Sequence, residues 1–142
     1  MYRKILVAHD GSENSQRAFE HALSLVKQMQ NKDEVQIIVL SVIQVTDLPE
    51  IAENQAIIDY FRKHYREIHT NLNSIAQKEG VKLTSYILIG NPSVEILSFA
   101  KENSIDLIVV GKTGKSKIEQ WLVGSVSKKI LDHAPCSVLL IR

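Results

Sequence analysis

The chain has 142 residues, the length of one ordinary domain, and its seventeen basic and sixteen acidic residues leave a formal net charge of +1. This balance offers no basic field to recruit nucleic acid and no block of like charge that reads as a tail. A single cysteine, Cys136, cannot form an internal disulfide, and no apolar run approaches the roughly 18 residues of a membrane span, so the expectation is one domain over residues 1–142, soluble and cytoplasmic, with no nucleic-acid or membrane partner.

The first strand is expected over Ile5–Ala8, directly after the polar start Tyr2-Arg3-Lys4. Ser12 can cap a helix over Asn14–Gln30, and Glu13 suits its positive end. In that helix Ala18, Phe19, Ala22, Leu23, Val26 and Met29 recur at a period near 3.6. A second strand follows over Val35–Val42, and then a loop-like insertion, Thr46–Gln55. A long helix from about Glu53 to Glu79 carries Phe61, Tyr65, Ile68, Leu72, Ile75 and Ala76 on one stripe and stops at Gly80. The third strand is expected over Val81–Ile89. Asn91-Pro92 then reads as N-cap and N1 of a third helix containing Ile96, Leu97 and Ala100. Strand four, Leu107–Val110, precedes a glycine-bearing segment. A fourth helix spans Val126–His133, Pro135 blocks its continuation, and Ser137–Ile141 is the last strand.

Several of these strands are nearly continuous in Val, Ile and Leu, as strands buried on both faces of a parallel sheet are. Strands alternating with helices predict a three-layer, doubly wound α/β sandwich. In such folds ligands bind beyond the carboxyl ends of the strands, at the switch point.

The segment Gly111–Ser127 lies at such a strand end and carries Gly111, Gly114 and Gly124-Ser125. Glycine lets backbone approach a ligand closely, and a Gly-Ser pair at a helix start suits a phosphate. The plain alternative is a connection with incidental glycines, against which Trp121 and Leu122 argue because large apolar groups pack down. A Walker A loop is excluded: it needs a glycine five residues before its Gly-Lys, and the positions before Gly111 and Gly114 are Asp106 and Val109. The dinucleotide fingerprint fails too, because Ala8-His9-Asp10-Gly11-Ser12 holds one glycine.

Asp10 stands just beyond strand one, where a carboxylate can accept from ribose or adenine, or can serve the turn with Gly11 and Ser12; the two roles are compatible. His9 reads as structural or as packing on a base. His21, His64, His69 and His133 read as helix-surface residues, and Cys136 as an inert thiol. Lys112, Lys115 and Lys117 suit either a phosphate or a solvated loop face. No nucleophile elbow appears, and no second carboxylate is poised beside Asp10 as base or magnesium ligand, so a phosphate cradle without hydrolytic apparatus is expected.

These residues resemble the universal stress protein family, specifically its ATP-binding type. The resemblance rests on Ile5–Ser12, on Ile38–Val42, on Asp106–Gly111, on Pro135–Ile141, and on a loop of the form G-2x-G-9x-G-[ST]. That loop is met by Gly111, Gly114, Gly124 and Ser125, with nine residues, Lys115 to Val123, in the interval. The resemblance covers the whole chain. It implies a five-stranded parallel sheet of order 3-2-1-4-5, Rossmann-like and akin to the adenine nucleotide alpha hydrolase-like folds. It also implies an ATP pocket. Asp10 would contact adenine or ribose, with Ala8 and His9 lining the base pocket and the Val42 backbone on the adenine edge. Val110 and Gly111 would line the ribose and phosphate side. Thr113 and Gly114 would meet the phosphates from one side, and Gly124, Ser125, Val126 and Ser127 from the helix start. The implied ligand is ATP, with or without Mg2+. The implied assembly is a homodimer through Ser137–Ile141, whose Val138, Leu139, Leu140 and Ile141 would otherwise leave an apolar edge, together with an unidentified protein partner. His9 is bulkier than the family's usual residue, and Lys112 stands where many relatives have a small hydroxyl. The leading expectation is a nucleotide-dependent regulatory or binding module of stress response, at most weakly hydrolytic. The alternative is a slow ATPase or nucleotidyl-transfer enzyme of related fold.

Overall fold

A computed structural model describes residues 2–44, 51–112 and 125–142 of the chain. The element order is β1 (Lys4–Ala8), α1 (Glu13–Lys27), a short 3-10 turn (Lys32–Glu34), β2 (Gln36–Gln44), α2 (Ile51–Lys78), β3 (Lys82–Gly90), α3 (Pro92–Glu102), β4 (Leu107–Gly111), α4 (Ser125–His133) and β5 (Ser137–Ile141). The five strands form one sheet in the order β3-β2-β1-β4-β5, with every neighbouring pair parallel. The expected fold class and strand order therefore stand. The Trp121 and Leu122 expectation falls outside the described residues.

Side-chain alternation along the strands divides the core in two. Ile5, Val7, Ile37, Val39, Leu107 and Val109 face α1 and α2 and pack with Phe19, Ala22, Val26, Leu72 and Ala76. Leu6, Ala8, Leu40, Val42, Ile108 and Val110 face the other way and pack with Ile96 and Ala100 of α3 and Val126 and Ile130 of α4. The chain thus covers one face before β3 and the other after it. The reversal falls between β1 and β4, which makes the carboxyl ends of these two strands the switch point of the sheet.

Local chemistry sets the element ends. Ser12 is the N-cap of α1, its hydroxyl oxygen accepting from Ser15 N–H at 3.2 Å. The helix ends at Lys27 rather than Gln30, because the Gln28 and Met29 N–H groups donate to Leu25 and Val26 carbonyls and tighten the last turn. Asn91 caps α3 with Pro92 in its first turn, as expected. At the opposite end of the sheet from the crevice, the Asp106 carboxylate accepts from Arg3 and Lys4 N–H at 2.8 and 2.9 Å, pinning the start of β4 to that of β1. These two backbone donors hold its carboxyl below the usual range.

Candidate functional site

β1 delivers His9, Asp10, Gly11 and Ser12 to the crevice as a tight turn into α1. The β1–β2 ladder runs one residue past the strand, with His9 N–H on Leu40 O at 2.9 Å. Asp10 Oδ1 then accepts Ser12 N–H at 3.0 Å, a side-chain-closed turn. Gly11 sits at φ +89°, and a Cβ there would meet His64 Nε2 at 3.4 Å and Ile68 Cδ1 at 3.5 Å, so the turn lies against α2 in a conformation that glycine favours.

The turn is held from inside as well. Gly11 N–H donates to His9 Nδ1 at 3.1 Å, which makes Nδ1 an acceptor and places the ring proton on Nε2. Nε2–H then donates to Gln16 Oε1 at 3.1 Å. His9 is buried, and burial holds its pKa below the ordinary histidine value, against the opposing pull of Gln16 and Asp10. Its ring therefore braces the turn, in line with the structural half of the expectation.

Beneath the turn lies a polar chain that sequence reasoning missed. Ser41 Oγ–H donates to His9 O at 2.6 Å. With that proton committed, Ser41 Oγ accepts from His69 Nε2–H at 2.8 Å. Tyr65 OH donates to Asp10 O at 3.4 Å. Burial first, then the charge of Asp10, raises the Tyr65 hydroxyl well above its ordinary pKa. His69 is only 5% exposed, which corrects its reading as a surface residue. Burial, with His9 nearby, lowers its pKa to about 4. His21 and His133 are exposed and His64 is half-buried. The signal for His69 was present: positions 65, 69, 72 and 76 share one helical face, and the first and last two are apolar.

β4 forms the other wall. A Cβ on Gly111 would lie 2.4 Å from Asn14 O, so the strand end and the first turn of α1 meet backbone to backbone. The Asn14 amide donates to Lys112 O, and Lys112 N–H donates to Ile141 O at 2.6 Å. Ala8, Asp10, Ser15, Val110 and Gly111 line a cleft of about 10 Å³ between these walls. Asp10 is 3% exposed, and its Oδ2 has no hydrogen-bond partner among the described residues.

Of the expected site residues, Ala8, Asp10, Val110 and Gly111 share this cleft, and Ala8, Val42, Val110 and Val126 share one apolar cluster directly under it. Ser127 is buried in the first turn of α4. Ser125 opens α4. Thr113, Gly114 and Gly124 lie outside the described residues. Cys136 packs half-buried against the α3–α4 cluster, where burial raises its thiol pKa, as an inert thiol should behave. Among the described residues no helix is long and apolar enough to cross a membrane, and no group of three or more His, Cys, Asp or Glu has metal-binding proximity.

The sequence pattern that defines the universal stress protein family matches residues 1–142. The chain belongs to the universal stress protein family. A universal stress protein of Methanocaldococcus jannaschii is 32% identical to it over 142 residues, a span covering 100% of this chain and 83% of that relative. Among solved structures, the universal stress protein UspA from Lactobacillus plantarum superimposes with a TM-score of 0.80 at 28% identity, covering 99% of this chain and 98% of that one. A universal stress protein solved in complex with cAMP has a TM-score of 0.65 at 25% identity, covering 99% of this chain and 97% of that one. The β1 and β4 ends described above are thus walls of a universal stress protein crevice.

Proposed function

We propose that this chain binds ATP in the crevice between the β1 and β4 ends and acts as a nucleotide-dependent regulatory or binding module of the stress response. The observation that carries this reading is Asp10: a buried carboxylate at the switch point, one oxygen closing its own turn and the other directed to no described partner. A carboxylate so placed suits a ribose hydroxyl or an adenine amine. The relative in complex with cAMP supports an adenine nucleotide as the ligand class. In this reading Ala8, Val42 and Val110 face the base and sugar, while Gly111, Thr113, Gly114, Gly124, Ser125, Val126 and Ser127 surround the phosphates, and Mg2+ enters on the phosphates. Among the described residues no second carboxylate or histidine stands beside Asp10 in the cleft to activate water, so in this reading occupancy acts by altering the surface of residues 112–123 and thereby a protein partner.

Calorimetry with ATP tests the reading. ATP should bind saturably. Asp10→Asn keeps the Oδ1 acceptor for Ser12 and removes the charge, so it should weaken ATP about tenfold with an unchanged melting temperature. Gly124→Val should abolish ATP binding by obstructing the phosphates. Absence of binding at millimolar ATP, or full affinity in both variants, overturns the proposal.

The dimer belongs to the same proposal. β5 is an edge strand, and of its apolar residues Leu139 is exposed, Val138 and Leu140 are half-buried and Ile141 is buried in the α1–α2 core. The apolar edge is therefore narrower than the sequence suggests, but an unpaired edge strand still invites pairing with a second copy. Leu139→Lys should convert a dimer to a folded monomer in sedimentation velocity. A wild-type monomer, or a variant that stays dimeric, rejects this interface.

A further inference from the structure

A groove of about 600 Å³ lies between α2 and the sheet-edge strand β3, apart from the crevice at the β1 and β4 ends. That volume lies in the range of small-molecule sites. Arg62, Arg66, His69, Thr70 and Asn73 line it from α2, at helical spacings of three and four that put them on one face. From β3, Ser85 completes the polar lining; among the described residues no acidic side chain contributes.

Arg62 and Arg66 both line this groove, and among the described residues neither has an ion-pair partner. A forked guanidinium fits the oxygens of a phosphate bidentately. The groove floor adds a second, independent requirement. His69 is more than nine-tenths buried, its Nε2 proton is committed to Ser41, and so Nδ1 is a bare acceptor with no hydrogen-bond partner among the described residues. Thr70 donates its hydroxyl proton to Arg66 O at 2.8 Å, leaving its oxygen an acceptor as well. The lining thus asks for a ligand with an oxyanion at one end and hydroxyl donors at the other.

We propose that the α2–β3 groove is a second ligand site, which takes a small hydroxyl-bearing phosphate ester of the sugar- or polyol-phosphate class. Arg62 and Arg66 hold the phosphate, and His69 Nδ1 and Thr70 Oγ1 accept from the hydroxyls. The site is independent of the nucleotide crevice: its residues come from the middle of α2 and from β3, whereas the crevice lies at the β1 and β4 ends. The two nevertheless share a support, because His69 reaches Ser41 and, through it, the carbonyl of His9.

The test is an amide-resolved NMR titration of the full chain with glycerol 3-phosphate, the ionic strength held constant with sodium chloride. Saturable shifts are expected at residues 62–73 and 83–87. Arg62→Gln and Arg66→Gln should each weaken this binding about tenfold or more, since glutamine keeps the helix and removes the charge-assisted bonds. Lys63→Gln, on the same helix outside the groove lining, should leave it unchanged. Acetate, with one small carboxylate and no hydroxyl, should bind far more weakly. Linear, non-saturating shifts, shifts confined to residues 8–11 and 110–112, or undiminished binding in both arginine variants overturn the proposal. Shifts confined to residues 8–11 and 110–112 would place the phosphate ester in the crevice instead, and the other outcomes leave the ATP reading of the crevice untouched.

Discussion

Gly111→Ala should lower the stability of the protein by about 3 kcal/mol, the upper end of what overpacking a tight interior costs. The reason is geometric. The added Cβ would stand 2.4 Å from Asn14 O and 2.6 Å from Asn14 C, and these are backbone atoms of the first turn of α1 rather than the movable end of a side chain. Relief requires the helix start to retreat from β4, which breaks the Asn14 amide bond to Lys112 O and widens the cleft beside Asp10. Nucleotide affinity should therefore fall together with stability. Gly80→Ala is the informative comparison. Gly80 has nothing within 4 Å of a built Cβ but sits at φ +69°, so alanine there meets conformational strain alone, about 1–2 kcal/mol, at the far end of α2. Urea unfolding should show a lower midpoint in both variants with an unchanged slope, the larger shift in Gly111→Ala, and loss of ATP binding only in Gly111→Ala. A Gly111→Ala protein with the wild-type midpoint would mean that the α1–β4 contact yields at no cost, and would remove the rigid wall from the description of the crevice.

That contact also explains why the crevice has its form. α1 is clamped at its first turn by three different devices: the Ser12 cap, the His9–Gln16 brace and the close approach at Gly111. Each fixes Asp10 from a different direction, and the hydroxyl of Tyr65 and the Ser41–His69 pair fix the turn carbonyls from below. A carboxylate held this way is preorganised, so a ligand need not order it on binding.

How far the sequence reveals this differs by element. β1, β2 and β4 were legible because strands buried on both faces read as nearly unbroken Val, Ile and Leu, and these three are buried along almost their whole length. The exposed edge strand β3 lacks that burial and reads instead as a β-rich run, Val81–Ile89, after the helix stop at Gly80. Strand order is invisible to periodicity and followed from resemblance. Asp10 was legible because its place at a strand end is local information. The pairs Ser41 with His69 and Asn14 with Lys112 were not, because each joins residues far apart in sequence whose meeting depends on the packed fold. His69 differs: a histidine's average burial preference does not place it in a core, but its spacing from Tyr65, Leu72 and Ala76 on one helical face argues burial.

Stability should fall by about 3 kcal/mol from His69 alone as the pH is lowered from about 6.5 to about 4. The sign follows from the direction of the shift. Burial lowers the folded pKa of His69 from 6.5 to about 4, so the unfolded chain takes up the proton more readily than the folded one. The neutral ring's contribution is complete above the unfolded value of 6.5 and is lost as the pH falls toward the folded value. A difference of roughly two and a half units corresponds to about 3 kcal/mol. His9 is shifted in the same direction, mainly by burial, and adds to the loss in the same window. Asp106 acts elsewhere. Its carboxyl is depressed below 3.8 by the Arg3 and Lys4 N–H groups, so its contribution is present above that value and is lost only at lower pH. The fall above pH 4 therefore carries the histidines' signature. His69→Gln separates the two histidines: its amide can still donate to Ser41 Oγ, but it cannot titrate. The variant should be less stable at pH 7, where the ring's packing is missing, and its stability should change much less between pH 6.5 and 4, with only the His9 slope remaining. Urea midpoints measured across that range decide the matter. A wild-type curve that is flat there, or a His69→Gln curve as steep as wild type, would mean that protonation of His69 is not what acid does to this core.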